Sequence, residues 1–294
     1  MVCGYRLDLI SASTNCPLCK ASLWEDTKSG ASTPSKAPQA GAVKPPTTQT
    51  AQASNSITIH SGSIWDEVKK LLDAKQYSQA SVYLTKAADS GSPVAQYELG
   101  RLYQYGLGVK KDTELADELL CASASQEYIP AYVLLGKIRF QAKKYPSAWK
   151  WFLKAAEKND PEAIYYTSVF YANGYHVGRN PKMATKAMEK ALSLGSVDAH
   201  LHQANAADSK GDYVIAIKHF RFAADQENSE AQYYLGKYYA GGLGVTKDLL
   251  KAAYWYKKAA DHGYSEASES LQGCVRAMSA TQKIKWSTGI GVQP

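Results

Sequence analysis

The feature that most constrains the fold is the segment AQYYLGKYYAGGLGVTKDLLKAAYWYKKAADHGYSEA, residues 231–267. Small and apolar residues recur at helical spacing on both sides of a glycine-rich stretch, which predicts two helices joined by a loop. Asp248 precedes the second helical stretch, where a carboxylate can cap the amides of the first turn. A single helix hairpin cannot bury its apolar face alone, so the segment predicts that further hairpins stack against it.

Degenerate copies of this segment fill the chain from residue 63 onwards. The alanine that opens each first helix recurs at separations of 36, 32, 36, 32 and 36 residues. The 36-residue units carry a long glycine-containing loop, whereas the 32-residue units join their helices through a short turn. We therefore expect six helix pairs, starting at Ser63, and a final single helix at about 265–279. The periodic alanines are Ala95, Ala131, Ala163, Ala199, Ala231 and Ala267.

The long units carry a recognisable motif. LGRLYQYGLGVKKD and LGKYYAGGLGVTKD, the latter followed by KAAYWYKKAADHGY, resemble Sel1-like repeats, a subclass of the tetratricopeptide repeat family. The short units resemble ordinary tetratricopeptide repeats. The unit at residues 163–198 departs from the pattern, because Thr167-Ser168 replaces Leu-Gly and His176 replaces the second loop glycine. The resemblance implies an all-α fold, a right-handed α-solenoid of helix-turn-helix repeats, that binds other proteins.

The first 25 residues differ from the repeats and contain three of the five cysteines, Cys3, Cys16 and Cys19. A C-x-x-C turn such as Cys16 to Cys19 suits tetrahedral coordination of a metal by thiolates. The segment therefore predicts a small cysteine knuckle that resembles half of a rubredoxin-like or zinc-ribbon site. Zinc is favoured over iron as the ion, because no electron-transfer domain accompanies the knuckle.

The knuckle lacks one cysteine of a four-cysteine site, and three explanations stay open. The natural chain could start upstream of Met1 and supply the missing cysteine. Alternatively, His60, another chain or solvent could supply the fourth ligand. The third explanation is a remnant that no longer binds metal.

Composition divides the remainder of the chain. Residues 26–62 are rich in Pro, Ser, Thr, Ala and Gln, and such a segment cannot bury enough apolar surface to fold, so we expect a disordered linker. Residues 63–279 form the repeat region, and residues 280–294 read as a flexible tail. Trp286 in that tail could dock on a partner or on the repeats themselves.

Several function classes are disfavoured by what the sequence contains. No run of about 18 apolar residues predicts a membrane span, and the cysteine pattern does not resemble a disulfide framework, so we expect a cytoplasmic protein. The net charge of +7 comes from cations that mostly alternate with acidic residues, which favours a solvated surface over nucleic-acid binding. No catalytic triad, metal-protease motif or paired-carboxylate arrangement stands out, so we expect no enzymatic activity.

The tetratricopeptide resemblance also implies a binding groove lined by the first helices. Four of the six positions that lie two residues after the Leu-Gly leucine are Lys or Arg, and aromatic residues share that face. This pattern predicts a groove for an extended acidic peptide or a terminal carboxylate, although solvated cations would produce the same pattern. The predicted groove residues are Trp65, Lys69, Tyr97, Arg101, Lys137, Tyr165, Asn205, Tyr233 and Lys237.

We therefore expect a non-catalytic scaffold or adaptor that binds partner proteins through its repeats. The alternative is a regulatory protein whose zinc-ribbon-like N-terminus contacts nucleic acid while the repeats recruit a partner.

Overall fold

The computed structural model describes residues 63–289, and this part of the chain contains fourteen α-helices and no strand. The predicted knuckle, with Cys3, Cys16 and Cys19, and the predicted linker lie outside the described residues. The helices are α1 (Ser63–Asp73), α2 (Tyr77–Asp89), α3 (Pro93–Tyr105), α4 (Thr113–Ser125), α5 (Ile129–Gln141), α6 (Tyr145–Glu157), α7 (Pro161–Asn173), α8 (Pro181–Ser193), α9 (Val197–Asp208), α10 (Tyr213–Asp225), α11 (Ser229–Gly241), α12 (Leu249–Asp261), α13 (Ala267–Ala277) and α14 (Ala280–Thr288).

The helices occur in pairs, as predicted, and the all-α fold class of helix-turn-helix repeats is confirmed. Within the described residues, the chain forms two compact units, 63–135 and 136–289, and the boundary falls within α5. In the described part of the first unit, α1 packs on α2, α2 on α3 and α3 on α4. In the second unit, each helix from α6 to α12 packs on the next one along the chain. None of the described helices combines the length and apolar character needed to cross a bilayer.

The periodic alanines set the phase of the repeats. All six have no exposed surface, although they lie on six different first helices. A methyl side chain at this position lets the first helix approach its neighbours closely, whereas any larger side chain would force the helices apart. The alternating separation seen in the sequence therefore corresponds to one buried contact repeated along the chain.

The glycine of the Leu-Gly motif allows the two helices of a pair to pack closely. A Cβ atom on Gly136 would lie 2.7 Å from the ring of Phe152, and one on Gly236 would lie 2.6 Å from the ring of Tyr256. The unit with Thr167-Ser168 accommodates its hydroxyls locally instead: both residues are buried, and each hydroxyl donates to a backbone carbonyl one turn earlier at 2.7 Å. This unit keeps its two helices despite the lost glycine.

The three long loops share one geometry, including the loop in which His176 replaces a glycine. His176 has φ 60°, close to the φ 67° and 66° of Gly108 and Gly244 at the same loop position. The backbone amide of the capping residue closes each loop by donating to a tyrosine carbonyl, with Asn180 doing so in the variant loop at 2.8 Å. The same Asn180 side chain then accepts from the amide of Met183 at 3.0 Å. The sequence change therefore leaves the fold of the loop intact.

The end of the described chain differs from the prediction of a flexible tail over residues 280–294, because residues 280–288 form α14. Ser279 and Gln282 form a reciprocal capping box that satisfies two backbone amides at the start of this helix. Trp286 packs against the buried cluster that contains Tyr256, Cys274 and Met278. Its ring thus contacts the repeats, which is one of the two dockings expected for it.

Candidate peptide-binding face

A cleft in the second unit lies between two first helices, α7 and α9, and has a volume of about 410 Å³. Tyr165 and Asn205, both predicted as groove residues, line it from opposite helices. A neighbouring cleft of about 420 Å³ shares Tyr165 and extends towards Met188 on α8. The lining residues of the first cleft are Tyr165, Tyr166, Asp198, Leu201, His202, Asn205 and Ala206.

Lys137 reaches the edge of this cleft through an ion pair. Its ammonium nitrogen lies 2.8 Å from a carboxylate oxygen of Asp198 and 5.6 Å from the ring centroid of Tyr166. The predicted groove lysine thus contacts Asp198 and Tyr166, two residues that line the same cleft as Tyr165 and Asn205. However, a carboxylate of the same chain already compensates its charge.

Further carboxylates surround this ion pair. Glu162 accepts hydrogen bonds from the hydroxyl of Ser196 at 3.0 Å and from the amide of Val197 at 2.8 Å, at the N-terminus of α9. Burial raises the pKa of Glu162 to about 7, and the nearby Asp198 carboxylate adds to this effect while Lys137 opposes it. Burial also raises the pKa of Glu230 above its ordinary value, again with a contribution from Asp198. Carboxylates therefore outnumber the lysine in this part of the face, which the sequence-based picture of a cationic groove did not include.

Aromatic rings form the walls of the cleft. The rings of Tyr165 and Tyr166 meet edge to face at 5.2 Å, and the Tyr165 ring lies 6.0 Å from that of His202. Burial raises the pKa of the Tyr165 phenol, so the hydroxyl stays protonated at neutral pH. The cleft thus offers flat apolar surface together with a phenol, an imidazole and an amide that can form hydrogen bonds.

The remaining groove residues of the second unit lie further along, on α11, and line neither cleft. The Tyr233 ring stacks on that of Tyr264 with centroids 4.7 Å apart. Lys237 is exposed, and its ammonium lies 4.9 Å from the ring centroid of Tyr234. These two residues extend the aromatic face beyond the cleft.

The first unit contains the other four predicted groove residues. Trp65 packs against the buried cluster around Val68, and Lys69 is exposed. The Tyr97 ring contacts that of Tyr128 edge to face at 5.4 Å. Arg101 pairs with Glu98 at 2.8 Å, so its charge, like that of Lys137, is compensated within the chain.

Sequence reasoning missed several residues of the cleft, although a signal for them was present. His202 and Tyr166 each lie three residues after a periodic alanine, one residue beyond the aromatic position of the predicted groove. Three acidic residues, Glu162, Asp198 and Glu230, each directly precede a periodic alanine. These two repeat positions therefore indicate both the aromatic wall and the carboxylates.

Within residues 63–289, no group of three or more His, Cys, Asp or Glu side chains is arranged to hold a metal ion. The predicted zinc ligands Cys3, Cys16 and Cys19 lie outside that range. The zinc site therefore stays a prediction.

Known proteins share this repeat pattern. A family model described as Sel1 repeat matches residues 93–128, 134–160, 161–196, 200–228 and 229–264. An uncharacterized protein of Neisseria meningitidis is 32% identical over 195 residues, which are 66% of this chain and 35% of that protein. The DAP3-binding cell death enhancer 1 of Rattus norvegicus is 26% identical over 198 residues, which are 67% of this chain and 33% of that protein.

The chain thus spans about one third of the length of these curated relatives. Among solved structures, the immunity protein Pa5087 of Pseudomonas aeruginosa is 18% identical, covers 69% of this chain and 82% of its own, and superimposes with a TM-score of 0.54. That likeness concerns the fold alone. The family matches cover more than half of the residues, and the chain belongs to the Sel1 repeat family.

Proposed function

We propose that the chain is a non-catalytic scaffold that binds an extended segment of a partner protein along its first helices. The observation that carries this proposal is the cleft between α7 and α9, where Tyr165 and Asn205 meet from two successive repeats. Aromatic walls and a few hydrogen-bonding groups are the combination that protein interfaces use at their energetically dominant positions. Sel1 repeat proteins generally act as protein-interaction scaffolds, which supports the same reading.

The names of relatives point in the same direction. The rat relative is named for binding another protein, DAP3, and a Schizosaccharomyces pombe relative is named as a chitin synthase regulatory factor. We transfer only the general activity, which is attachment to another protein, because this chain spans a minor part of each relative.

The ion pairs within the chain indicate which groove cations can bind acidic residues of the partner segment. Arg101 and Lys137 would have to release Glu98 and Asp198 before they could pair with a partner carboxylate. Lys69 and Lys237 are exposed and need no such exchange. We therefore propose that acidic residues of the partner contact Lys237 in the second unit, while an apolar or aromatic residue enters the cleft.

The test is co-purification from the native host followed by mass spectrometry, with Asn205→Arg and Lys237→Glu compared with the intact chain. Lys186→Glu is the matched control, because Lys186 is an exposed lysine on the second helix α8. We expect a discrete partner that both groove variants lose and the control retains. Direct titration of the purified partner then measures the loss in affinity. Recovery of the same proteins with all four chains would refute the proposal.

A further inference from the structure

Two histidine rings face each other between the helices of one pair in the second unit. His200 lies on α9 and His219 on α10, and their Nδ1 atoms are 3.0 Å apart. Both rings are only partly buried, so solvent and dissolved ions reach them. Neither residue lines the clefts of the proposed peptide-binding face.

The orientation of His200 is held by two further contacts. Its ring stacks on Phe222 with centroids 3.8 Å apart and an interplanar angle of 15°. The backbone of Leu192, eight residues earlier, also interacts with the ring and acts against the burial that lowers the pKa of His200. At the equivalent position of another repeat, Gln232 donates to the Ala224 carbonyl at 3.2 Å.

A hydrogen bond between two neutral imidazoles needs one donor and one acceptor, so one of the two Nδ1 atoms carries a proton and the other accepts it. The accepting ring already has the tautomer of a metal ligand, with its proton on Nε2. In histidines that bind metals, this second nitrogen usually donates to a carbonyl or carboxylate, which fixes the tautomer.

We propose that His200 and His219 form a two-histidine site for a divalent transition metal ion of the zinc, nickel and copper class. Two imidazole nitrogens bound at about 2.0–2.1 Å to one ion in tetrahedral or square geometry lie roughly 2.8–3.4 Å apart. The observed separation of 3.0 Å already falls in that range. Imidazole ligands favour these ions over magnesium or calcium, which require oxygen ligands.

Binding needs a change of tautomer in the donating ring and a rotation of both rings. The proton on the donating Nδ1 moves to Nε2 of the same ring, and the two Nδ1 lone pairs turn from each other towards the ion. No net proton is released from the neutral pair, and water completes the coordination. Lys218, next to His219, adds a positive charge that opposes the ion, and this limits the expected affinity.

A bound ion would link α9 to α10 and stabilise that pair, because a ligand that binds only the folded state shifts the unfolding equilibrium. The remaining coordination positions would face solvent. A carboxylate or imidazole of a bound protein could occupy them in place of water.

The test is isothermal titration of the full chain with zinc chloride, using the intact protein and three variants. His200→Gln installs the residue that already makes the equivalent backbone contact at Gln232, so its fold is expected to persist. His219→Gln removes the second ligand, and His202→Gln is the control, because His202 lies two residues from His200 but lines the cleft instead. All four proteins carry the same N-terminal cysteines, so any zinc that those cysteines bind contributes equally to each titration.

We expect one binding event to weaken at least about tenfold in His200→Gln and also in His219→Gln, and to persist in His202→Gln. Modification by diethyl pyrocarbonate, followed by mass spectrometry, should show zinc protection at His200 and His219 of the intact chain. Equal binding by all four proteins would overturn the proposal. Loss in only one of the two variants would equally overturn it, since a chelate requires both ligands.

Discussion

The close approach of helices in the Leu-Gly repeats predicts that Gly236→Ala destabilises the protein. The added Cβ would lie 2.6 Å from two ring carbons of Tyr256 and 2.9 Å from a third. Carbon atoms need about 3.5–4.0 Å, so one of the two groups must shift by about 1 Å. Tyr256 is 5% exposed and packed against Ala252, Cys274 and Met278, which leaves its ring little room.

The magnitude follows from two opposing contributions. Overpacking a buried contact costs about 1–3 kcal/mol, whereas replacing glycine by alanine inside a helix gains up to about 1 kcal/mol. We expect a net loss of about 1–2 kcal/mol in the free energy of unfolding. For a chain of this size, that loss lowers Tm by roughly 2–8 °C.

Gly273→Ala provides the matched control. Gly273 lies within α13, and no atom lies within 4 Å of the position its Cβ would take, so this variant should gain stability by up to about 1 kcal/mol. Urea unfolding followed by circular dichroism compares the two variants with the intact protein, and hydrogen exchange locates the effect to α11 and α12. Adding Tyr256→Leu should recover part of the loss, because a smaller side chain gives the new methyl space.

A gain in stability for Gly236→Ala is also physically allowed, so the experiment distinguishes two outcomes. In the pair α9 and α10, Ala204 occupies the equivalent position and packs in the same cluster as Phe220. Equal gains in stability for Gly236→Ala and Gly273→Ala would show that α11 and α12 can separate to the spacing of that pair. The steric argument for the Leu-Gly motif would then be wrong.

Three further predictions concern stability. Glu162→Gln should flatten the pH dependence of the free energy of unfolding. Because the pKa of Glu162 in the folded state, about 7, exceeds the ordinary 4.5, the stability that this residue contributes is present below pH 4.5 and is lost as pH rises through 7. An unchanged slope of the free energy of unfolding between pH 5 and 8 would contradict this. Asp248→Ala should cost about 1 kcal/mol, because its carboxylate caps the amides of Leu250 and Lys251 at 2.9 and 3.1 Å, and Asp248→Asn should recover most of it. Glu227→Gly should raise the free energy of unfolding in urea by up to about 1 kcal/mol, because the backbone φ of Glu227 is 62°, a conformation that favours glycine. A lower free energy of unfolding would show that the contacts of the Glu227 side chain stabilise the fold by more than the backbone strain costs.

The sequence predicted the fold well because its strongest signal, the spacing of small residues, reports a contact that is local in every repeat. The periodic alanines required only counting, and all six are fully buried. The end of α13 and the start of α14 were harder to predict. The sequence contains a Ser-x-x-Gln capping box at Ser279, but a helix of nine residues is too short to show a clear helical period.

The candidate site was predicted only in part, because ion pairs depend on which side chains face each other across helices. The pairing of Lys137 with Asp198 joins residues 61 positions apart, and nothing in the local pattern of either helix indicates it. The same holds for the approach of His200 to His219, which are 19 positions apart. Tyr165 and Asn205 were found because their repeat position alone determines their location.

The turns between repeats keep one backbone conformation although their residues differ. The residue four positions before each periodic alanine has positive φ in every repeat, whether it is glycine or not, with values from 59° to 86°. Because this turn keeps its conformation despite changes of residue, the stacking of one hairpin on the next does not depend on a particular side chain there. The residues in question are Gly91, Glu127, Asn159, Gly195, Glu227 and Gly263.

The long loops behave in the same way, since His176 adopts the conformation of the glycines it replaces. The backbone frame is thus insensitive to much of the sequence variation between repeats. In contrast, the first-helix positions two and six residues after the periodic alanine change in size and charge from repeat to repeat, as Tyr165 and Lys237 illustrate. From α3 to α11 the side chains at these two positions are only partly buried or exposed, so we infer that they determine which segment of a partner this chain binds.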